Sequence, residues 1–340
     1  MFDTSYKNYI INLNMSRILK YRESLQRFIK EKSCFSEDKE INEENINNYI
    51  SEVSKENDLI IPILSLTVMN NQNKKHHVSM QGYYVAATIE FILILTDLME
   101  KREDYIKKNS IDSFIKLQNK LINYAERSLH QNLESIKNIF GGSTMLDIVL
   151  TALNIHDSSL NTIIKTINNK IITENKNCNE DVINWYLKTD KESIDKFKQL
   201  KFVSKESLKN YIQQKYTMLC ELAIIYGYIL GGGDIKDISQ LKKQAKHFSM
   251  MYKISKDFET LETDLKNSTF YTLNYILNNG LQDSYEMFLS SKQKFIEEAM
   301  IQDTYTNTIK EIMDIMESKV DIVIDQTSPD LKSNYSSSKN

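Results

Sequence analysis

Apolar residues recur at three- and four-residue spacing along most of the chain, and the polar breaks between these runs predict a succession of α-helices. Runs at 59–69 and 78–99 are separated by a polar stretch at 70–75, which predicts two antiparallel helices. Gly141, Gly142 and Ser143 part a helix ending near residue 140 from one starting at Thr144, with Ser143 placed as its cap. Ser204 and Ser207 precede a long amphipathic helix over 208–230, closed by Gly231, Gly232 and Gly233. Further helices are predicted over 238–265 and 269–278, the second stopped by Asn279 and Gly280. Residues 35–48 and 173–206 are polar enough to include loops, and no internal repeat of fixed period is visible. The pattern predicts an all-α chain, a single-domain antiparallel helical bundle over 1–328 with a disordered Ser/Asn/Lys-rich tail at 329–340.

Composition agrees. The 340 residues contain only 8 Gly and 2 Pro, too few for the turns of an all-β or α/β architecture. A net charge of −3, from 43 basic and 46 acidic residues spread along the chain, offers no basic stripe for nucleic acid. Cys34, Cys178 and Cys220 are widely spaced with no CxxC pair, which suits neither a disulfide framework nor a zinc site and suggests a reducing, cytoplasmic setting. The first twenty residues interleave charges with apolar residues, unlike a signal peptide. The most apolar stretch, 85–95, is interrupted by Glu90 and followed by Asp97 and Glu100, so it is read as a buried core helix and not a transmembrane segment.

Two acidic stretches carry the candidate chemistry. Asp97, Glu100 and Asp104 stand at i, i+3 and i+7, so on one helix all three carboxylates share a face at the end of an apolar run. Two acids one turn apart are a usual clamp for a magnesium ion that also takes phosphate oxygens. The bland alternative is a solvated helix end whose charges pair in water. Asp257, Thr260 and Asp264 repeat the spacing on a second helix. Facing each other across a bundle, the two helices would make a charged mouth for a metal-bridged diphosphate above an apolar cavity. Lys74, Lys75, His76 and His77 lack metal-ligand spacing and are read as a solvated loop, and Trp185 as a packing residue.

These segments resemble the trans-isoprenyl diphosphate synthases. Glu100 and Asp104 match the outer acids of the first DDxxD motif, with Lys101 at its second aspartate. Lys215 matches the family's diphosphate-binding lysine, while Tyr216 stands at the following threonine. Tyr252, Lys253 and Asp257 fall on the Phe, Gln and second Asp of FQxxDDxxD, and Lys256 and Thr260 displace its other two aspartates. The GKRxRP loop that grips isopentenyl diphosphate is replaced by residues 57–62, where only Pro62 is retained. Within the superfamily the chain is similar to the ComQ-type peptide isoprenyltransferases through 89–104 and 254–257, with Glu180 and Asp181 in the place of that group's third acidic site.

The resemblance implies the isoprenoid synthase fold around a central cavity, a cytoplasmic enzyme, Mg2+ as cofactor and a homodimer. It implies metal ligands at Asp97, Glu100, Asp104, Asp257, Thr260 and Asp264, and substrate contacts from Lys215, Lys101, Arg102, Lys253 and Lys256, with Asp104, Asp257 and Lys215 central to catalysis. The implied function is transfer of one allylic prenyl group from its diphosphate to an acceptor such as a peptide tryptophan. The cations Lys101, Arg102 and Lys256 could instead stand in for part of the metal charge, or quench the site. Two other readings stay open: a class I terpene synthase, because Asp257, Thr260 and Asp264 match the (N/D)DxxSxxxE pattern in type, and an inactive homologue serving as a binding or regulatory partner. In the transferase reading, Lys215→Ala and Asp104→Asn are expected to weaken diphosphate binding more than Glu103→Gln.

Overall fold

The structure, a computed structural model, describes residues 17–31, 44–71, 79–140, 173–174, 201–267, 271–327 and 330–332. The described part of the chain is all-α apart from three very short strands. The helices are α1 (Arg17–Glu31), α2 (Glu44–Glu56), α3 (Ile60–Asn71), α4 (Ser79–Glu100), α5 (Arg102–Lys108), α6 (Ile111–Phe140), α7 (Lys205–Ile212), α8 (Met218–Leu230), α9 (Ile238–Asn267), α10 (Tyr275–Asn279), α11 (Leu281–Ile301) and α12 (Asn307–Thr327). Strand β1 (Thr173–Glu174) pairs antiparallel with β2 (Lys201–Val203), which pairs parallel with β3 (Tyr271–Thr272). The expected boundary at Gly141 to Ser143, the expected acids Glu180 and Asp181, and Trp185 lie outside the described residues.

The contacts divide the chain into two compact units. The first comprises 1–167, 221–239 and 306–309; the second comprises 168–220, 240–305 and 310–340.

In the first unit, α3 and α4 are apolar on every side, the mark of buried helices. Residues 60–69 of α3 are all buried. Helix α4 packs chiefly on α6 and on α3. Its segment Gly82–Glu100 is long and apolar enough to cross a membrane, longer than the 85–95 run suggests, yet 78% of that window is buried in protein. Glu90, the charge inside it, is fully buried and accepts a hydrogen bond from Asn57 Nδ2 at 2.8 Å. A Cβ at Gly227 would lie 2.5 Å from the Ser65 carbonyl, so glycine there lets α8 and α3 approach closely.

In the second unit, α9 supplies one long face to α11 and α12. Phe248 and Phe295 meet with ring centroids 5.4 Å apart, Gln244 Nε2 donates to the Glu298 carbonyl at 3.0 Å, and Lys319, itself buried, pairs with Glu259 at 2.8 Å. Ser204 caps α7 as its position predicts, accepting from the Ser207 amide at 3.2 Å. Lys332, expected in a disordered tail, is instead held between Asp321 at 3.1 Å and Asp325 at 2.7 Å. Two carboxylates one turn apart on α12 give that lysine a place to anchor.

The helix expected over 269–278 is a correction. Residues 271–272 are extended, Asn274 caps the chain, and only Tyr275–Asn279 is helical. Asn274 accepts from the Ile276 and Leu277 amides at 3.0 and 3.3 Å, and a residue bonded in this way starts a helix rather than continuing one.

Candidate functional site

The first acidic stretch does not form one continuous helix. Helix α4 ends at Glu100, Lys101 takes φ −96° and ψ 21°, and α5 begins at Arg102. Asp97 and Glu100 therefore belong to one helix and Asp104 to the next, although the Lys101 and Tyr105 amides bond the Asp97 and Lys101 carbonyls at 3.1 and 3.0 Å across the junction. Asp97 is half-buried, whereas Glu100, Lys101, Arg102, Glu103 and Asp104 are all exposed. The Arg102 guanidinium lies 5.7 Å from the centre of the Phe114 ring, a surface cation–π contact within the first unit.

The second acidic stretch is buried in the second unit. Asp257 and Lys253 lie one turn apart on α9, 3% and 4% exposed. Asp257 Oδ1 accepts from Lys253 Nζ at 2.5 Å and Oδ2 from the Tyr275 amide at 2.6 Å, while Lys253 Nζ also donates to the Leu273 carbonyl at 3.0 Å. Asn274 Nδ2 donates to the Asp257 carbonyl at 3.0 Å and to Asp264 Oδ2 at 2.8 Å. Thr260 Oγ1 gives a second bond to that same Asp264 oxygen at 2.7 Å and one to the Lys256 carbonyl at 3.1 Å. Asp257, Thr260 and Asp264 are thus brought together around Asn274, a residue the spacing argument passes over. Asn274 precedes the apolar pair Ile276 and Leu277, so its capping role was legible as an N-cap signal.

Burial raises the Asp257 carboxyl from 3.8 to about 6, against the opposing pull of the Lys253 ammonium and the Tyr275 amide. For Lys253, burial works to lower the ammonium, but the charge and hydrogen bond of Asp257 outweigh it and hold the group above 10.5; Lys215 acts in the lowering direction.

Lys215 sits on a π-helical turn, Gln213–Thr217, that joins α7 to α8. Such single-turn bulges inside helices recur at functional sites, since the extra residue re-aims side chains. Lys215 is 4% exposed, with Nζ 5.8 Å from the Tyr211 ring centre and 5.2 Å from that of Tyr216. Lys253 Nζ faces the same two rings at 5.6 and 5.9 Å. Two buried ammonium groups therefore share one pair of tyrosines, and Tyr216 in turn packs on Tyr252 at 5.8 Å. Thr217, one position past the expected threonine, bonds Ser249 at 2.7 Å, so a buried hydroxyl pair lies on the same turn. Lys256 is half-buried on α9.

Among the described residues the donor set does not fit magnesium. On α9 both Asp257 oxygens are engaged, one by a cation, and Asp264 Oδ2 takes two donors. The acids at the end of α4 are split between two helices, and among the described residues no three His, Cys, Asp or Glu side chains gather where an ion could sit.

No family model matches the sequence, and no curated protein does. Among solved structures, the chain is similar to a FPP/GFPP synthase from Zymomonas mobilis, with a TM-score of 0.59 and 13% identity over 91% of this chain and 99% of the other. It is also similar to a protein provisionally described as a farnesyl-diphosphate synthase from Marinomonas sp. MED121, with a TM-score of 0.55 and 12% identity over the same shares. Identities this low carry the fold alone, and the chain has the all-α fold of the trans-prenyl diphosphate synthases.

Proposed function

We propose that the chain binds a single allylic prenyl diphosphate and transfers its prenyl group to an acceptor, with a tryptophan-bearing peptide as the acceptor class. The observation that carries this reading is the buried Lys215 ammonium beside the Tyr211 and Tyr216 rings, on a fold shared with prenyl diphosphate synthases. Buried charge is costly unless it is paired; Lys253 beside the same rings is already balanced by Asp257, so Lys215 is the cation this reading assigns to the diphosphate. Charge of that sign favours a diphosphate and stabilises it as the leaving group, because the negative charge grows as the carbon–oxygen bond breaks. The prenyl carbon then meets the acceptor nucleophile, which gives up a proton as the new bond forms.

A restriction to one diphosphate is supported at the other end of the chain. Asp58 Oδ1 accepts from the Ile60 amide at 3.1 Å, and Leu59 and Ile61 are buried apolar residues in the first unit. These positions stand where the resemblance expects the cations that hold isopentenyl diphosphate, and an apolar helix start cannot neutralise a second diphosphate. The terpene-synthase alternative asks Asp257, Thr260 and Asp264 to hold metal, and internal donors already engage them.

The test is incubation with geranyl or farnesyl diphosphate and a tryptophan-containing peptide, followed by mass spectrometry. Prenylated peptide is the expected product. Elongation with isopentenyl diphosphate would contradict the single-diphosphate reading, cyclised hydrocarbon would favour the terpene-synthase alternative, and failure of either diphosphate to bind would leave a non-catalytic homologue.

A further inference from the structure

The second acidic motif is where a metal is expected from the resemblance, and there the chain has placed a lysine of its own. Lys253 occupies the motif's glutamine position and lies one helical turn before Asp257, so its ammonium reaches Oδ1 at 2.5 Å. Magnesium binds carboxylate oxygens at about 2.1 Å and prefers to keep several waters. An ion on Asp257 would have to enter a fully enclosed position beside an existing cation, and like charges repel most strongly where water is excluded. The other oxygen is closed by the Tyr275 amide at 2.6 Å.

The same ammonium has a second task. By donating to the Leu273 carbonyl at 3.0 Å, Lys253 ties the connection between β3 and α10 to α9. Asn274 adds its bonds to the Asp257 carbonyl and to Asp264, and Asn278 Oδ1 accepts from the Val203 amide at 2.7 Å, linking the connection to β2. A labile ion could not serve as a permanent part of such a network.

We propose that Lys253 is a resident counter-cation that takes the place of a divalent metal on α9, so that Asp257 binds no metal and any divalent ion the chain takes up sits elsewhere. The inference rests on reading α9 as the counterpart of the synthases' second acidic helix, but it does not depend on the chain being a transferase.

The test uses Mn2+ as the probe and the wild-type chain. In a two-dimensional amide spectrum, the Tyr275 amide and the Asn274 side-chain amide are expected to stay sharp as Mn2+ is added up to several equivalents. Stoichiometric broadening strongest at these two signals among all amides of the chain, and lost in Asp257→Asn, would place an ion at Asp257 and overturn the proposal. Lys253→Gln, with folding checked by circular dichroism, is expected to bring about that broadening and to bind Mn2+ at least about tenfold more tightly than wild type. A folded Lys253→Gln that leaves both signals sharp would show that Lys253 is not what excludes the metal, which also overturns it; should this variant fail to fold, the wild-type spectrum decides alone. Absence of prenyl diphosphate binding would sink the proposed function and leave this result unchanged.

Discussion

The two acidic stretches share one spacing, with Thr260 where the first has Glu100, and end in opposite physical settings. Around the α4–α5 junction, Glu100 and Asp104 are exposed, and water carries out most of their solvation. On α9, Asp257 is sealed in, and the protein itself must supply every partner: Lys253, the Tyr275 amide and, through Asn274, the link to Asp264. Periodicity places side chains on a face; it does not say whether that face meets water. The difference sets which acids matter for stability and which only for local charge.

The largest effect should come from breaking the buried pair. Asp257→Ala leaves the Lys253 ammonium enclosed without its carboxylate and the Tyr275 amide without an acceptor, and should cost about 3–5 kcal/mol in urea denaturation. Removing both charges, as in Lys253→Met with Asp257→Leu, should cost less than the sum of the single changes, because no orphaned charge remains. Additive losses would mean the pair does not act as a unit.

Next comes ligand affinity. Lys215→Met should weaken farnesyl diphosphate binding by about 1.5–3 kcal/mol, roughly tenfold or more, as measured by calorimetry. A change below about twofold would remove Lys215 from the site.

A pH dependence should follow in size. The folded state raises the Asp257 carboxyl from 3.8 to about 6, so it binds this proton more tightly than the unfolded chain does. The resulting contribution is fully present below about 3.8 and is lost as pH rises through about 6. The raised Lys253 ammonium contributes stability that is present below 10.5 and lost at higher pH. Comparing thermal unfolding of wild type and Asp257→Asn between pH 4 and 7 isolates the acid limb: the wild type should lose stability relative to the variant as pH rises, and parallel curves would contradict the assignment.

The smallest effect is at the exposed end. Glu100→Gln, Glu103→Gln and Asp104→Asn should each change stability by under about 0.5 kcal/mol. The sequence pattern sets Asp104 apart from Glu103 by its place on a shared helical face, but both acids stand exposed in the first turn of α5. The two variants should therefore affect diphosphate binding alike, and a large difference by calorimetry would show that Asp104 reaches the ligand.

What was legible in the sequence follows from local physics. The apolar runs of α3 and α4, the Ser204 cap and the glycines after α8 are set by neighbouring residues, and they appear where expected. The break after Glu100 was hidden because the residues around it, among them Leu98, Met99, Lys101 and Arg102, are good helix formers. The π turn at Lys215 carries no compositional mark either, since all its residues fit an ordinary helix. Asp257 was found by spacing, but its true surroundings depend on Leu273, Asn274 and Tyr275, contacts 17 and 18 residues away made by a connection that the apolar pattern takes for helix. Lys253 was read as a replaced glutamine with a substrate role; only the fold shows its ammonium closing on the acid one turn along.

The measurement that bears most directly on the account is a calorimetric titration of farnesyl diphosphate into the wild-type chain, once in excess EDTA and once in millimolar magnesium. If the buried Lys215 ammonium holds the diphosphate, the two affinities should agree within about twofold, since the charge-assisted contact is already supplied by the protein. Binding that appears only with magnesium, or strengthens by tenfold or more on its addition, would show that carboxylates and metal do the work assigned here to Lys215.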